Sequence, residues 1–414
     1  IEVIVCDHHL PDKDLPNAFA ILNPKQDSCN YPYKELSGCG IGFKLITALA
    51  KKWKLPDESF LQYADLVATS IAADIVPITG ENRVLVFLGL KKINTDPIPG
   101  IKALITLSKA KLDDHRQLRV YDLVFMIAPR VNAAGRMDDA HKAVRLFIEK
   151  DLGKALQLAE ELHRDNTDRK DLDRSITEEA LSIIENEGLN ERNTTVLYRS
   201  HWHKGVIGIV ASRIMESYYR PTIILTQSNE KITGSARSVK GFNIYEALHQ
   251  CHTLLENYGG HFYAAGMTLA PENVEAFKSK FESVVSSTID PDLLIPEIKI
   301  DAIIQLKEIN VSLFKILEQF EPYGPGNMRP VFMTSGVYDN GYSKIVKQDH
   351  IRFEIKQDDS EIFNGIGFNL APKFNIVSSG KPFDICYHID ENEWNGISHL
   401  QLRIIDIRES REPE

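Results

Sequence analysis

The chain has 414 residues, which at roughly 150 residues per domain corresponds to about three domains. Its 43% hydrophobic and 26% charged residues exclude a disordered chain, a collagen-like fibre and a disulfide-rich miniprotein, and no apolar run approaches the ~18 residues of a membrane span. The net charge of −10 argues mildly against a nucleic-acid partner, while five cysteines without Cys-x-x-Cys spacing favour a reducing cytosol.

Residues 1–150 alternate strand and helix signals, which is typical of a βαβ domain with a parallel sheet. The apolar run at residues 1–6 predicts a short buried strand. Helical spacing of apolar residues then recurs at 38–53, 61–72, 83–93, 100–107 and 118–127. Because natural domains seldom begin inside a core strand, we expect further residues to precede Ile1 in the natural protein.

One long helix is predicted over residues 152–187, where Gly153 is the only helix breaker. Small and apolar residues recur there at a three-four spacing, but those in the middle, such as Asn166 and Asp173, are polar. We therefore predict a connecting helix over 151–190 that is apolar at both ends and solvated in its centre. The charges of alternating sign at 165–174 indicate the same solvated face.

The remaining sequence predicts a second α/β domain over 191–292 and a small β-barrel over 293–414. In the α/β domain, strand patterns at 194–199, 222–226 and 232–236 alternate with helical patterns at 206–218, 245–258 and 271–285. Past Pro291 and Pro296, a short helix precedes five strand patterns, at 331–338, 351–355, 362–368, 383–389 and 399–407. Short strands at this spacing predict a Greek-key barrel. The predicted fold class is therefore α/β with a C-terminal barrel.

The sharpest candidate for chemistry is Asp7-His8-His9, directly after the first predicted strand. Ligand sites form at the carboxyl ends of parallel strands, and neutral imidazoles beside a carboxylate suit divalent metals. From these residues alone, a pair of histidines in an ordinary loop is equally consistent. Asp74 ends an apolar run, and by itself such an aspartate is more often a helix-end residue than a ligand.

Three further segments carry the residue types that bind anions. Guanidinium groups pair bidentately with phosphate, and hydroxyls, imidazoles and Gly-rich backbone amides also donate to anions. The candidates are Arg130, Asn132 and Arg136, then Ser235 and Arg237, and then Gly259, Gly260 and His261. On composition alone, a helix start with surface arginines and tight turns that require glycine remain alternatives.

The C-terminal barrel mixes aromatic and basic residues, a combination that holds single strands by stacking and phosphate contact. Its basic residues include Lys344, Lys347, Arg352 and Arg403. Most of the aromatic side chains are expected in the core, whereas Tyr323, Tyr342 and Trp394 have polar or Gly-rich surroundings and are predicted at the surface.

Several segments together resemble the RecJ branch of the DHH phosphoesterases. The resemblance is specific because the matching segments follow the family's order along most of the chain. They are VCDHH at 5–9, ILNPKQ at 21–26, YPYKELSG at 31–38, ADIVP at 73–77, APRVNAAGR at 128–136, WHKGVIGIVASR at 202–213, GSARS at 234–238, GGHFYAAG at 259–266 and YGPGN at 323–327.

The resemblance implies a DHH domain over 1–150, of which this chain holds the C-terminal part, a DHHA1 domain over 191–292 and an OB fold over 293–414. It implies Asp7, His8, His9 and Asp74 as catalytic residues, with His8, His9 and Asp74 as ligands of Mn²⁺ or Mg²⁺ in a two-metal site. The family takes further aspartates from motifs that precede the DHH motif. We therefore expect the metal site to be incomplete in this chain, and its own activity is left open.

The implied activity is 5′→3′ hydrolysis of single-stranded DNA to mononucleotides in DNA repair and recombination. The anion candidates above would bind substrate, and the protein would be a cytoplasmic monomer without a membrane partner. A helicase and a single-strand-binding protein are the implied protein partners. Two alternatives stay open: a DHH phosphodiesterase of short RNA or cyclic dinucleotides, and a non-catalytic single-strand-binding or scaffold fragment.

Overall fold

The structure, a computed structural model, describes residues 1–12, 14–108, 117–137, 139–358, 360–394 and 397–410. Its contacts divide the chain into two compact units. The first contains residues 1–94, 118–121 and 298–414, and the second contains residues 95–117 and 122–297. The domain boundaries expected at 150, 190 and 292 stay predictions. Among the described residues, none of the helices combines the length and hydropathy of a membrane span.

The N-terminal residues form a short parallel ladder followed by helices. The elements are β1 (Ile4–Cys6), β2 (Ala20–Leu22), α1 (Gly38–Lys52), α2 (Glu58–Leu61), α3 (Ala64–Asp74) and α4 (Gly80–Thr95). Ser37 caps α1 by accepting a hydrogen bond from the amide of Gly40, at 3.2 Å. The predicted burial of the first strand is wrong, because Val3 and Ile4 are about half exposed and β2 is the only described strand that pairs with β1.

The described residues between α4 and the second sheet form mainly helices. It contains α5 (Pro99–Leu107), α6 (Val120–Asp122), a π-helical turn at Leu123–Ile127, α7 (Ala128–Met137), α8 (His141–Ile148) and α9 (Leu152–Asn186). The long helix is thus confirmed, with Asp151 capping its first turn through the amide of Lys154. The prediction of a solvated centre is wrong. Asn166 and Asp173 are each 1% exposed, because α7 and α10 (Ile207–Tyr218) both pack against α9.

A five-stranded sheet forms the second half of this unit. Its strands are β3 (Thr195–Tyr198), β4 (Thr222–Ser228), β5 (Lys231–Arg237), β6 (Asn257–Gly260) and β7 (Ala264–Leu269), in the order β3-β4-β5-β7-β6. Only β3 and β4 run parallel. Helices α11 (Ile244–His249) and α12 (Val274–Thr288) cover one face, whereas α9 and α10 cover the other. The predicted helix at 245–258 is wrong beyond His249, because Asn257–Gly260 pairs with β7 as an edge strand.

The C-terminal residues form the barrel, which confirms that prediction. Its elements are β8 (Ala302–Ile303), α13 (Val311–Glu318), β9 (Phe332–Asp339), β10 (Lys344–Val346), β11 (His350–Lys356), β12 (Phe363–Gly367), α14 (Phe374–Val377), β13 (Phe383–Trp394) and β14 (Ile397–Glu409). The strand order is β10-β11-β12-β14-β13-β9-β8, and a further pairing of β11 with β9 closes the barrel. Its core includes Phe353, Phe383 and Tyr387, all 0% exposed.

Candidate functional site

The first candidate site joins the loop after β1 to the end of α3. Asp74 is the last residue of α3, and its Oδ2 lies 3.1 Å from Nε2 of His8. The His8 side chain is 15% exposed and that of Asp74 is 42% exposed, so the pair borders solvent on the Asp74 side. The structure therefore brings together two of the predicted metal ligands, one from each motif.

Asp7 and His9 form a second pair in the same loop. Nδ1 of His9 lies 2.7 Å from Oδ1 of Asp7, which also accepts from the amide of His8 at 2.8 Å. Burial raises the pKa of the Asp7 carboxyl, but the hydrogen bonds from His9 and from the His8 amide outweigh it, so the net pKa is below its ordinary value. Asp7 is accordingly ionised at neutral pH, with His9 rather than His8 as its side-chain partner.

A buried asparagine shapes this loop, and it was not predicted as a site residue. Asn23, 5% exposed, donates from Nδ2 to the carbonyl of His9 at 2.8 Å, while its Oδ1 accepts from the amide of Lys25 at 2.9 Å. The amide of Asp7 donates to the carbonyl of Leu22, which extends the β1–β2 ladder by one bond. These bonds fix the backbone that carries the two histidines. Its place in the motif at 21–26 was the available signal.

The His8–Asp74 pair fits a hard divalent ion. Two ligands on adjacent positions of an octahedral ion with bonds of ~2.1 Å lie about 3.0 Å apart, close to the observed 3.1 Å. Carboxylate and imidazole are also the donors that suit Mn²⁺ and Mg²⁺. Within the described ranges, however, no three His, Cys, Asp or Glu side chains gather as a metal-binding group. The pair thus supplies part of a coordination shell.

The second candidate site lies where β5 meets the first turn of α10. Ser235 and Arg237 project from the same face of β5, and Nη1 of Arg237 donates to Oγ of Ser235 at 3.0 Å. A Cβ on Gly208 would lie 3.0 Å from both Arg237 Nη2 and Ser235 Oγ, so this glycine lets the two side chains approach the helix start. Because β5 pairs on both edges, its side chains rather than its backbone amides are available to an anion.

Further arginines surround this helix start. Arg136 donates to the carbonyl of Gly205 at 3.4 Å, and a Cβ on Gly205 would clash with the carbonyl oxygen of Arg136. Burial lowers the pKa of Arg237, and the positive charge of Arg136 lowers it further. Val206 at the N-cap of α10 has no side-chain acceptor. The positive end of the helix dipole and at least two cations therefore meet here, which favours an anion.

Two members of this basic cluster come from the interior of α9 and α10 and were not predicted. Burial lowers the pKa of Arg169, and although Asp173 raises it, Arg136 and Arg213 lower it. The Nε of Arg169 is buried without a hydrogen-bond partner among the described residues. Arg213 pairs with Asp173 through Nε at 3.0 Å and Nη2 at 2.9 Å. Asp173 thus pairs with Arg213 and attracts Arg169, while the charge of Arg136 lies close enough to lower the pKa of both Arg169 and Arg237.

The other predicted anion residues lie in different surroundings. Arg130 is 7% exposed and donates to Nδ1 of His163 at 3.2 Å and to the carbonyl of Met126, so its guanidinium already has partners. Asn132 lies exposed on α7. Gly259 and Gly260 belong to β6 rather than to a loop, and the amide of the exposed His261 donates to the carbonyl of Ala264. Gly259, Gly260 and His261 lie near Arg237, which pairs with Ala264 across β5 and β7.

The barrel carries a basic row across its strands. Residues in register share a face of a sheet, and one such row contains Lys344, Arg352, Ile366, Arg403 and His388. The three long cationic side chains of this row are exposed, whereas Phe353, Gly365 and Leu402 in a neighbouring row of the opposite face are buried.

Aromatic rings adjoin this row. The ring of Phe368, 49% exposed, lies 5.1 Å from that of His350 and 5.6 Å from the Arg403 guanidinium. Tyr342 is 69% exposed, as predicted. Tyr323 is half-buried instead, because its hydroxyl donates to the carbonyl of Leu317 and Arg329 lies over its ring. The side chain of Trp394 lies outside the described residues.

Three family models match the chain. The DHH family N-terminal domain matches residues 1–71, the DHHA1 domain matches residues 192–287 and the RecJ OB domain matches residues 300–406. The His8 loop, the site where β5 meets α10 and the basic row of the barrel are thus each matched by a different family model.

Curated relatives match almost the whole chain. The single-stranded-DNA-specific exonuclease RecJ of Bacillus subtilis is 35% identical over 98% of this chain and 51% of the relative. The protein of the same name from Salmonella typhimurium is 34% identical over 98% of this chain and 73% of the relative. The chain thus spans about half the length of the first relative and nearly three quarters of the second.

Solved structures agree with this likeness. The crystal structure of RecJ in complex with Mn²⁺ from Thermus thermophilus is 30% identical, with a TM-score of 0.85 over 100% of this chain and 59% of that chain. The corresponding structure with Mg²⁺ gives a TM-score of 0.82 at the same identity.

Proposed function

The chain belongs to the RecJ family, and we propose that it is part of an exonuclease that hydrolyses single-stranded DNA with a divalent metal ion. The observation that carries this proposal is the 3.1 Å contact between Nε2 of His8 and Oδ2 of Asp74. These two donor atoms come from separate motifs of the family resemblance. Because the chain spans only part of its relatives, the activity of the whole protein belongs to the proposal.

The proposal extends to 5′→3′ polarity, mononucleotide products and a role in DNA repair and recombination, which rest on the family resemblance. Mn²⁺ and Mg²⁺ are the proposed ions because a RecJ relative has been crystallised with each of them. A cytoplasmic monomer that works with a helicase and a single-strand-binding protein remains the expected setting.

Hydrolysis of a phosphodiester needs an activated water and stabilisation of the charged phosphoryl and leaving oxygens. A bound divalent ion supplies both, since it lowers the pKa of its water and pairs with these oxygens. In this chain His8 and Asp74 would hold the ion, and the exposed side of Asp74 would leave access for a phosphate. His9 orients the ionised carboxylate of Asp7 beside them, and its own role as a ligand stays a prediction.

The β5–α10 site holds a phosphate of the substrate. Arg237 and Ser235 donate to its oxygens, and Arg136 adds a second positive charge. The β6–β7 hairpin, with Gly259, Gly260 and His261, borders the same end of the sheet, and Asn132 lies one turn from Arg136 on α7. Arg130 supports α7 through His163 and Met126.

The barrel favours a long single strand over very short substrates. Its row of Lys344, Arg352 and Arg403 runs across several strands, and Phe368 offers a ring face for a base. A phosphodiesterase that acts on dinucleotides does not need an extended basic row, because its substrate is too short to contact it. We therefore place short RNA and cyclic dinucleotides second.

The described residues provide only two donors for the ion. We therefore propose that a complete site takes further ligands from elsewhere in the protein, so that the 414-residue chain alone binds DNA and turns it over slowly.

The test is release of mononucleotides from labelled single-stranded DNA in Mn²⁺, with the chain alone and with its complete reading frame. We expect rapid release by the complete protein, with loss of at least ~100-fold in activity for Asp74→Asn and on addition of a chelator. His8→Ala should cause a similar loss, whereas its matched control His252→Ala, which changes an exposed histidine in the turn after α11, should keep the activity of the parent protein. Equal activity with and without the chelator would contradict the proposal.

A further inference from the structure

We propose that the lead-in loop of the barrel, residues 323–327, is a positioning element for Asp74. The inference rests on the proposed function, because it concerns a ligand of the proposed metal site. It adds that the C-terminal barrel holds this ligand in place, although the barrel and the His8 loop are far apart in sequence.

The backbone after Asp74 is strained. Ile75, the C-cap of α3, has φ +56°, a left-handed conformation that is unfavourable for a β-branched residue. Its side chain is 65% exposed, so packing of that side chain does not explain the conformation. Such residues persist where the surrounding structure fixes them. The contacts of residues 76–79 must therefore hold the turn that aims Asp74 at His8.

One set of these contacts comes from the N-terminal residues themselves. The carbonyl of Pro77 accepts from the Tyr33 hydroxyl at 3.2 Å and from Nδ2 of Asn82 at 2.9 Å. Gly80 has φ +46° and packs against the Tyr33 ring. A Cβ built on Gly80 would lie 2.9 Å from Cε2 of Tyr33. These contacts hold the turn from one side.

The other set comes from the lead-in loop. The amide of Ile78 donates to the carbonyl of Pro325 at 2.6 Å, and the Ile78 side chain is 1% exposed. A Cβ on Gly324 would clash with Cδ1 of Ile78, and one on Gly326 would lie 2.9 Å from Cγ2 of Thr79. The loop thus closes over Ile78 with no room for a side chain at either glycine.

Two polar side chains hold the loop in this position. Nη2 of Arg83 donates to the carbonyls of Gln319, Phe320 and Glu321, at 3.1, 3.0 and 3.2 Å, at the end of α13. Nδ2 of Asn327 donates to the carbonyls of Phe320 and Pro322, both at 2.9 Å. A chain of direct contacts therefore runs from α13 through the loop and Ile78 to the strained turn after Asp74.

The consequence concerns metal affinity. A two-donor chelate needs both donors at their spacing, and residues that orient metal ligands typically contribute 10–100-fold to affinity. If the loop withdraws, Ile75 can relax and Asp74 leaves its place 3.1 Å from His8. The loop should then affect Mn²⁺ binding without touching the ion.

The test is Gly324→Ala in the full chain, followed by two measurements. Hydrogen exchange reports whether the Ile78 amide loses its protection, and EPR titration with Mn²⁺ reports metal affinity. We expect exchange to accelerate at least ~10-fold and the Mn²⁺ dissociation constant to rise about 3- to 10-fold. Gly42→Ala is the matched control, because a Cβ there meets nothing within 4 Å, and it should change neither value more than about 2-fold.

The outcomes separate the inference from the proposed function. Faster exchange with unchanged Mn²⁺ affinity would make the loop merely structural and overturn the inference, as would unchanged exchange. His8→Ala, measured in parallel, should weaken Mn²⁺ binding at least ~10-fold. If it does not, the metal pair itself is wrong and the proposed function fails with it.

A milder variant covers the case in which Gly324→Ala does not fold. Arg83→Ala removes the three bonds to the end of α13 and leaves the loop sequence intact. We expect the same two changes at about 2- to 3-fold. Loss of Ile78 protection without a change in Mn²⁺ affinity would again overturn the inference.

Discussion

In the second unit, both the location and the electrostatic surroundings of Arg237 favour binding of an anion. Its guanidinium fills the space that Gly208 leaves open and contacts Ser235. The pKa of Arg237 is lowered first by burial and then by Arg136. A partly buried cation beside another cation gains most from an anion that neutralises both. A phosphate is the anion that the proposed substrate brings.

Arg237→Ala should therefore weaken binding of single-stranded DNA by about 10-fold and leave Mn²⁺ affinity unchanged within 2-fold. The first value comes from fluorescence anisotropy and the second from EPR titration. Lys240→Ala is the control, because Lys240 is an exposed cation three positions away, outside the cluster. Equal losses for the two variants would contradict a specific phosphate contact.

The candidate residues of both sites were predictable from local patterns, but their partners were not. Asp7, His8, His9 and Asp74 stand in recognisable motifs, whereas the pairing of His9 with Asp7 depends on side-chain geometry. Arg169 and Arg213 lie inside regular helices, where nothing in the local sequence distinguishes them from surface charges. Their role follows from packing between distant segments.

At the scale of elements, α9 shows how a polar pattern can be buried. Asp173 is 1% exposed and pairs with Arg213, which reaches it from α10. The three-four spacing correctly predicted the helix, since spacing depends only on local geometry. The solvated centre was wrong because a second helix covers that face, and only the tertiary structure supplies its arginine. The β6 strand was missed for a similar reason, since β7 gives it its partner.

Arg213→Ala should lower the free energy of unfolding by about 2–3 kcal/mol, because it removes the guanidinium that bonds both oxygens of the buried Asp173 carboxylate. Urea denaturation followed by circular dichroism measures this change. Arg174→Ala, at an exposed arginine on α9 itself, should stay within about 0.5 kcal/mol of the parent chain. Similar stabilities of the two variants would show that the Asp173 pair contributes little.

At the scale of the whole molecule, the net charge of −10 describes the surface average and says little about local sites. Lys344, Arg352 and Arg403 occupy one row of the barrel, and Arg136 and Arg237 gather at one helix start. The net negative charge argued against a nucleic-acid partner because the composition of a chain does not show where its basic residues lie in the structure. Strand register, which the sequence patterns did not predict, turns scattered cations into a row that can follow a backbone of phosphates.

The salt dependence of binding tests this row directly. Each phosphate contact to a single strand contributes about 0.7 to the slope of log K against log salt concentration, because binding releases condensed counterions. The double variant Arg352→Ala, Arg403→Ala should therefore reduce that slope by about 1.4 and weaken binding at low salt. Lys315→Ala, Lys381→Ala removes the same charge from exposed positions of the C-terminal residues outside the row. If both double variants changed the slope equally, net charge rather than the row would govern binding. If only the first did so, the single strand crosses the barrel along the row.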